Sequence, residues 1–100
     1  MRTTKQKFAN LPFHSLIPCK ISPGMFANEY AVSITLISGE VVTLFADQKL
    51  ISKNGSQIDA YLNVNVVKSA SGEPVVLLPT EALETGSRWI QVDPGVIQHK

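Results

Sequence analysis

The sequence predicts an all-β fold, a small and mostly antiparallel barrel with a single short helical turn near the C-terminus. Three observations predict it. Residues 29–46 alternate apolar and polar side chains with period two on either side of a glycine-containing turn. About six or seven short runs of this kind follow one another, with turn residues roughly every 8 to 12 positions. No segment reads as a helix longer than about one turn.

The stretch 29–46 reads as the central hairpin. Tyr30, Val32, Ile34 and Leu36 fall on one face, and Ala31, Ser33 and Thr35 on the other. After the turn Val42, Leu44 and Ala46 alternate with Val41, Thr43 and Phe45. β-Branched and aromatic residues dominate both arms, as suits a pleated, half-buried surface. A loop of Ile37, Ser38 and Gly39 puts glycine where a left-handed backbone is needed. It also sets Ile34 against Val42 and Val32 against Leu44. A loop of Gly39 and Glu40 would instead oppose Leu36 to Thr43, so the apolar pairing is preferred. Phe45 then sits on the more polar face, which predicts that this face too is partly covered.

At 100 residues the chain makes one domain, able to bury about two thirds of its unfolded surface. The pattern predicts a basic arm over 1–7 and a single folded domain over 8–100. No apolar run approaches the roughly 20 residues that span a bilayer, and no signal-like apolar stretch opens the chain. With Cys19 as the lone cysteine, no internal disulfide framework exists, which fits a cytoplasmic protein. The net charge of +1 is too small for a wholly polyanion-binding surface. It is unevenly spread: residues 1–28 carry four bases and no acid, and the remainder five bases and eight acids.

Residues 1–7 are polar and basic without pattern. Pro12 breaks any helix in the following segment, so Phe8, Leu11 and Phe13 are expected on an extended stretch leading to a first strand near 16–21. Ser22, Pro23 and Gly24 are expected to turn into the main hairpin. Asn54 and Gly55 signal a second hairpin that opposes Ile51 to Ile58. A strand is expected over 61–68, where Leu62, Val64 and Val66 alternate with asparagines. Another is expected inside 74–79, flanked by prolines. Thr80 to Gly86 fits one helical turn, capped by Thr80 and ended by Gly86. Residues 88–92 read as the last strand. The strand, helical turn and strand of this ending resemble the close of SH3-like barrels. The resemblance implies architecture alone, since the aromatic and proline-pocket motifs of signalling SH3 domains are missing.

No catalytic constellation stands out, and the chain is expected not to be an enzyme. Cys19 with His14 as its base would be a nucleophile pair, but an extended segment holds them about 15 Å apart. Cys19 reads better as a small buried apolar residue. One cysteine with His14 and His99 near opposite ends is too thin a ligand set for zinc, and no calcium-loop spacing occurs. Glycine-rich phosphate and nucleophile-elbow motifs are absent, so no cofactor is expected. Asn54, Gly55 and Ser56 fit a glycosylation triplet but read more simply as a turn.

Binding is the remaining function class. Arg2, Lys5 and Lys7 can grip phosphate or an acidic protein surface, or simply keep a terminus soluble. Tyr61 and Trp89 can stack a base or seat a peptide, whereas packing in the core with the indole N–H satisfied is the commoner fate. The run 88–92 offers apolar groups to both sides, with Arg88 on the face of Ile90 and Val92. The expectation is a non-catalytic protein-binding or assembly module of cytoplasmic location, using Phe45, Tyr61, Arg88 and Trp89 and the basic arm. The alternative is a weak nucleic-acid-binding barrel that uses the arm. No membrane role is expected, and an exposed edge strand makes a homodimer by strand addition a further expectation.

Overall fold

The computed structural model describes residues 15–53 and 59–99. The expected basic arm with Arg2, Lys5 and Lys7, and the Asn54-Gly55 turn with Ile58, lie outside the described residues. Eight strands form one curled, barrel-like sheet: β1 (Ser15–Pro23), β2 (Glu29–Thr35), β3 (Val41–Asp47), β4 (Ile51–Lys53), β5 (Asp59–Lys68), β6 (Pro74–Leu77), β7 (Trp89–Ile90) and β8 (Gln98–His99). The strand order is β3-β2-β1-β5-β6-β7, with β4 beside β5 and β8 beside β1, and each pairing is antiparallel. The all-β, mostly antiparallel expectation holds.

The hairpin forms in the register that its apolar pattern demands. Val32 pairs with Leu44 and Ile34 with Val42. Leu36 N–H donates to Glu40 O at 2.7 Å, which leaves Ile37, Ser38 and Gly39 as the loop, and Gly39 takes φ +93°. Val32, Ile34, Val42, Leu44 and Ala46 point inward and are buried. Phe45, on the other face, is half-buried as its position predicts.

Two long strands organise the rest. β1 gives one edge to β5, pairing Ser15 with Val64 through to Lys20 with Asp59. Its other edge is split between β8, at Ser15 and Leu16, and β2, from Lys20 onward. β5 is divided likewise, with β4 along 60–62 and β6 along 65–68. Alternate residues of the two strands, Ile17, Cys19 and Ile21 with Ala60, Leu62 and Val64, build the floor of the core. Val76, Leu78, Ala82, Ile90 and Val92 close over it from the C-terminal third. At about 25 cal/mol per Å2 of apolar area, each fully buried aliphatic side chain contributes about 1.5–3 kcal/mol.

The curl brings residues 80–84 against the outer edge of β3. Leu83 N–H donates to Thr43 O at 2.7 Å, and the Glu84 carboxylate accepts from Thr43 N–H at 2.7 Å. Thr80 Oγ1 donates to Phe45 O at 2.9 Å. A strand edge that would otherwise recruit another chain is thereby occupied. At the hairpin tip, Ile37 N–H donates to Gln91 O at 2.9 Å, tying the two ends of the sheet together.

Four local expectations need correction. The chain does not turn at Ser22, Pro23 and Gly24: Pro23 stays in β1 opposite Tyr30, and the loop is 25–28. Proline is tolerated at such a strand end, while a Cβ at Gly24 would meet Glu29 O at 2.8 Å. Ile51 pairs with Leu62, not with Ile58. The two registers differ by an even number of residues, so alternation could not separate them. The last strand pairs only at Trp89 and Ile90. The helical turn expected over 80–86 does not form as a helix: residues 83–85 make one hydrogen-bonded turn, closed by Gly86 N–H to Ala82 O at 2.8 Å with Gly86 at φ +70°. Thr80 bonds to β3 instead of capping it. Short 3-10 turns at Gln48–Leu50 and Pro94–Val96, each capped by an aspartate side chain, were not legible as such.

Candidate binding clefts

Beyond Val64, which pairs with Ser15, the first described residue of β1, strand β5 continues for four residues. Among the described residues, Asn65, Val66, Val67 and Lys68 have β6 along one edge and no strand along the other. All four line a cleft of ≈ 590 Å3, joined by Trp89, His99, Leu77, Pro94 and Ile97. Consecutive strand residues point to opposite faces, so a space lined by four in a row lies at the strand's edge. Trp89 is 49% exposed and Val67 45%.

Trp89 is turned outward by its own backbone. Leu78 N–H donates to Arg88 O at 2.7 Å, and the Arg88 Nε–H donates back to Leu78 O at 2.9 Å. Ser87 Oγ accepts from Trp89 N–H at 3.0 Å. With Ile90 and Val92 buried, the alternation leaves Trp89 on the outer face beside Leu77, its strand partner. The expected burial of the indole in the core is therefore not what the fold provides. The apolar character of 88–92 on both sides yields a core face and a surface aromatic. On the far wall, Ser15 Oγ lies 3.2 Å from His99 Nδ1, fixing the imidazole at the start of β1.

The other site candidates separate from Trp89. Phe45 and Arg88 converge with Glu29, Glu81, Pro79 and Leu83 around a shallower, open cleft on the β3 side. Tyr61 is half-buried on β5 between Pro18 and Ser52, away from both. Arg2, Lys5 and Lys7 lie outside the described residues. Lys68, Asn65, Val67 and His99 were not expected at a binding cleft. The doublet Val66-Val67 was the available signal, since it breaks the alternation of β5 with an outward apolar residue.

Cys19 is on the floor of a further cleft, ≈ 430 Å3, where β1 and β2 part. Burial, reinforced by the nearby Asp59 charge, pushes its thiol up to about 12. A thiol so protonated at neutral pH is a packing group and not a nucleophile. The exposed Lys20–Asp59 pair at 2.8 Å on the rim is a solvated surface contact of small energetic worth. Among the described residues, no three of His, Cys, Asp and Glu come together as a metal site. No helix among them is long and apolar enough to cross a membrane.

One further apolar feature is the loop 25–28, where Met25 is 71% and Phe26 67% exposed. It is held by Glu29 N–H to Phe26 O at 3.1 Å, by Met25 N–H to the Glu29 carboxylate at 3.2 Å, and by Gln48 N–H to Asn28 O at 2.9 Å. Fold and clefts together define a small barrel-like all-β domain with an aromatic cleft beside β5. No family model, curated protein or solved structure matches the chain.

Proposed function

We propose that this chain is a non-catalytic protein-binding or assembly module, an SH3-like small barrel acting in the cytoplasm, and that its partner docks in the Trp89 cleft. The observation that carries the reading is a half-exposed indole lining a mostly apolar cleft. A large amphipathic ring of this kind costs little rotamer entropy on binding and supplies much contact area. Near-neutral charge and a mostly apolar lining favour a polypeptide over a phosphate backbone, which needs a track of cations.

The test uses the full chain and its Trp89→Ala variant as paired baits in extract of the native host at low salt. A polypeptide retained by the first and lost by the second supports the reading. The same retention by both baits, or retention only of nucleic acid that leaves at moderate salt, would overturn it. Light scattering of the purified chain separately tests the homodimer expectation.

A further inference from the structure

We infer that the cleft between β1 and β2 binds a small molecule that carries a primary ammonium on an apolar body. The site is separate from the Trp89 cleft and does not rest on the module reading. Its cause lies in the sequence. β1 and β2 pair from Pro23 with Tyr30 as far as Lys20 with Ser33. Continued in that register, the next rung would set Pro18 against Thr35. Leu36 N–H donates to Glu40 O at 2.7 Å, so by antiparallel alternation the Thr35 main chain faces away from β3 and towards β1. Pro18 has no N–H to offer the Thr35 carbonyl, and the strands part there.

Described chain frames the slot on both sides and at both ends. Residues 17–20 of β1 and 33–36 of β2 form its long walls, and the Lys20–Ser33 rung closes one end. The chain from Gln91, bonded to Ile37, to Gln98, paired with Leu16, spans the other. The three strand residues between measure about 10 Å, room for one ring with a short tail and too little for an added strand. The volume of ≈ 430 Å3 is that of a small-ligand pocket. Val41, 54% exposed, and the half-buried Leu36 and Val96 offer the apolar body a surface above a buried floor.

The head group follows from the polar atoms. The Thr35 carbonyl is an acceptor that Pro18 cannot match. Lys20 and Asp59, 2.8 Å apart, balance each other, which leaves Asp93 as the unbalanced charge among the lining residues. Its Oδ1 accepts from Gly95 N–H at 3.0 Å, which holds the carboxylate at the start of the 3-10 turn. Cys19 adds no charge at neutral pH, its thiol being pushed up to about 12. A carbonyl and a carboxylate together suit an ammonium with its three donors and repel an anion.

The probe is 2-phenylethylammonium, titrated into the full chain and followed in amide and methyl nuclear magnetic resonance spectra. Its counterparts of similar size are 2-phenylethanol and 3-phenylpropionate. Residues 17–20, 33–36 and 92–96 should shift saturably, with the ammonium bound about tenfold tighter than the alcohol and the carboxylate weakest. Asp93→Asn keeps an oxygen for Gly95 N–H, so the turn survives. It should weaken the ammonium about fivefold to tenfold and leave the alcohol unchanged. Pro18→Ala returns the missing N–H, lets the Thr35 rung close, and should cost the ammonium at least about fivefold. Equal binding of the three probes overturns the inference, as does ammonium binding indifferent to Asp93→Asn or to Pro18→Ala. So do shifts centred on Trp89, or the absence of saturable shifts. The capture test with Trp89→Ala is read independently, so either reading can fail alone.

Discussion

Truncating Leu62 to alanine tests the core where the two halves of the sheet join. Leu62 is 0% exposed, with Ile17 of β1 opposite on one side and Ile51 of β4 on the other. Both neighbours are fixed by strand pairing, so the walls cannot collapse into the space vacated. Leucine-to-alanine changes at such sites cost about 2.7–5.0 kcal/mol, the larger values going with larger residual cavities. The rigid setting places Leu62→Ala at about 3–5 kcal/mol. Leu36, which is only half-buried at the hairpin end, should lose about half as much on the same change. For a domain of this size each kcal/mol lowers the melting temperature by about 4–8 °C, so about 3 kcal/mol corresponds to roughly 12–24 °C. Urea unfolding followed by circular dichroism gives both free energies, with an unchanged slope showing that the unfolded states are comparable. If Leu62→Ala costs no more than Leu36→Ala, the central position of the β1–β5 seam is refuted.

Gly39→Ala should lower stability by about 1–2 kcal/mol through backbone strain alone, because φ is +93° and an added Cβ would meet nothing within 4 Å. A neutral result in urea unfolding would contradict the three-residue loop. Cys19 should resist thiol reagents at neutral pH in the native protein. Its unfolded form ionises near 9.0 and its folded form near 12, so the folded chain holds the proton longer. Stability should then fall as pH rises between those values, at about 1.4 kcal/mol per unit, and Cys19→Ala should remove that part of the slope. A chain beginning at Phe8, lacking Arg2, Lys5 and Lys7, should melt at nearly the same temperature. Any nucleic-acid binding lost with the arm should show a salt slope smaller by about 0.9 for each duplex phosphate contact removed, and strong binding of that kind would displace the module reading.

The main hairpin was legible because two local signals agree. Alternation fixes which residues face inward, and Gly39 fixes where the chain can reverse. β4 was less legible, since pairing Ile51 with Ile58 or with Leu62 keeps the same faces inward, and only loop length separates them. Trp89 shows a different limit. Its neighbours Ile90 and Val92 announce a core face correctly, but which way the indole turns depends on Arg88 and Leu78 pairing across the loop between β6 and β7. The cleft beside it was illegible for a similar reason. Its walls come from β5, β6, β7 and residues 94–99, segments that only the folded sheet brings together. Phe45 and Arg88 do converge, but on another surface, and Tyr61 joins neither group.

The pairing of β1 with β5 also bears on the order in which the domain can assemble. Contacts between them span 39 to 49 residues, whereas β2 and β3 meet across a three-residue turn. During synthesis the hairpin can zip in microseconds, with β1 joining β2, long before β5 emerges. The far side of β1 then waits with Ile17, Cys19 and Ile21 uncovered. β8 arrives last of all, and it too closes on β1, His99 reaching back to Ser15 across 84 positions. Doubling a loop's length adds only about 0.6 kcal/mol to its closure cost, so this long reach is thermodynamically cheap once β5 is docked. Kinetically it makes completion of the sheet a late event. Chains stalled before residue 59 would present the β5-facing edge of β1 bare to the cell's chaperones.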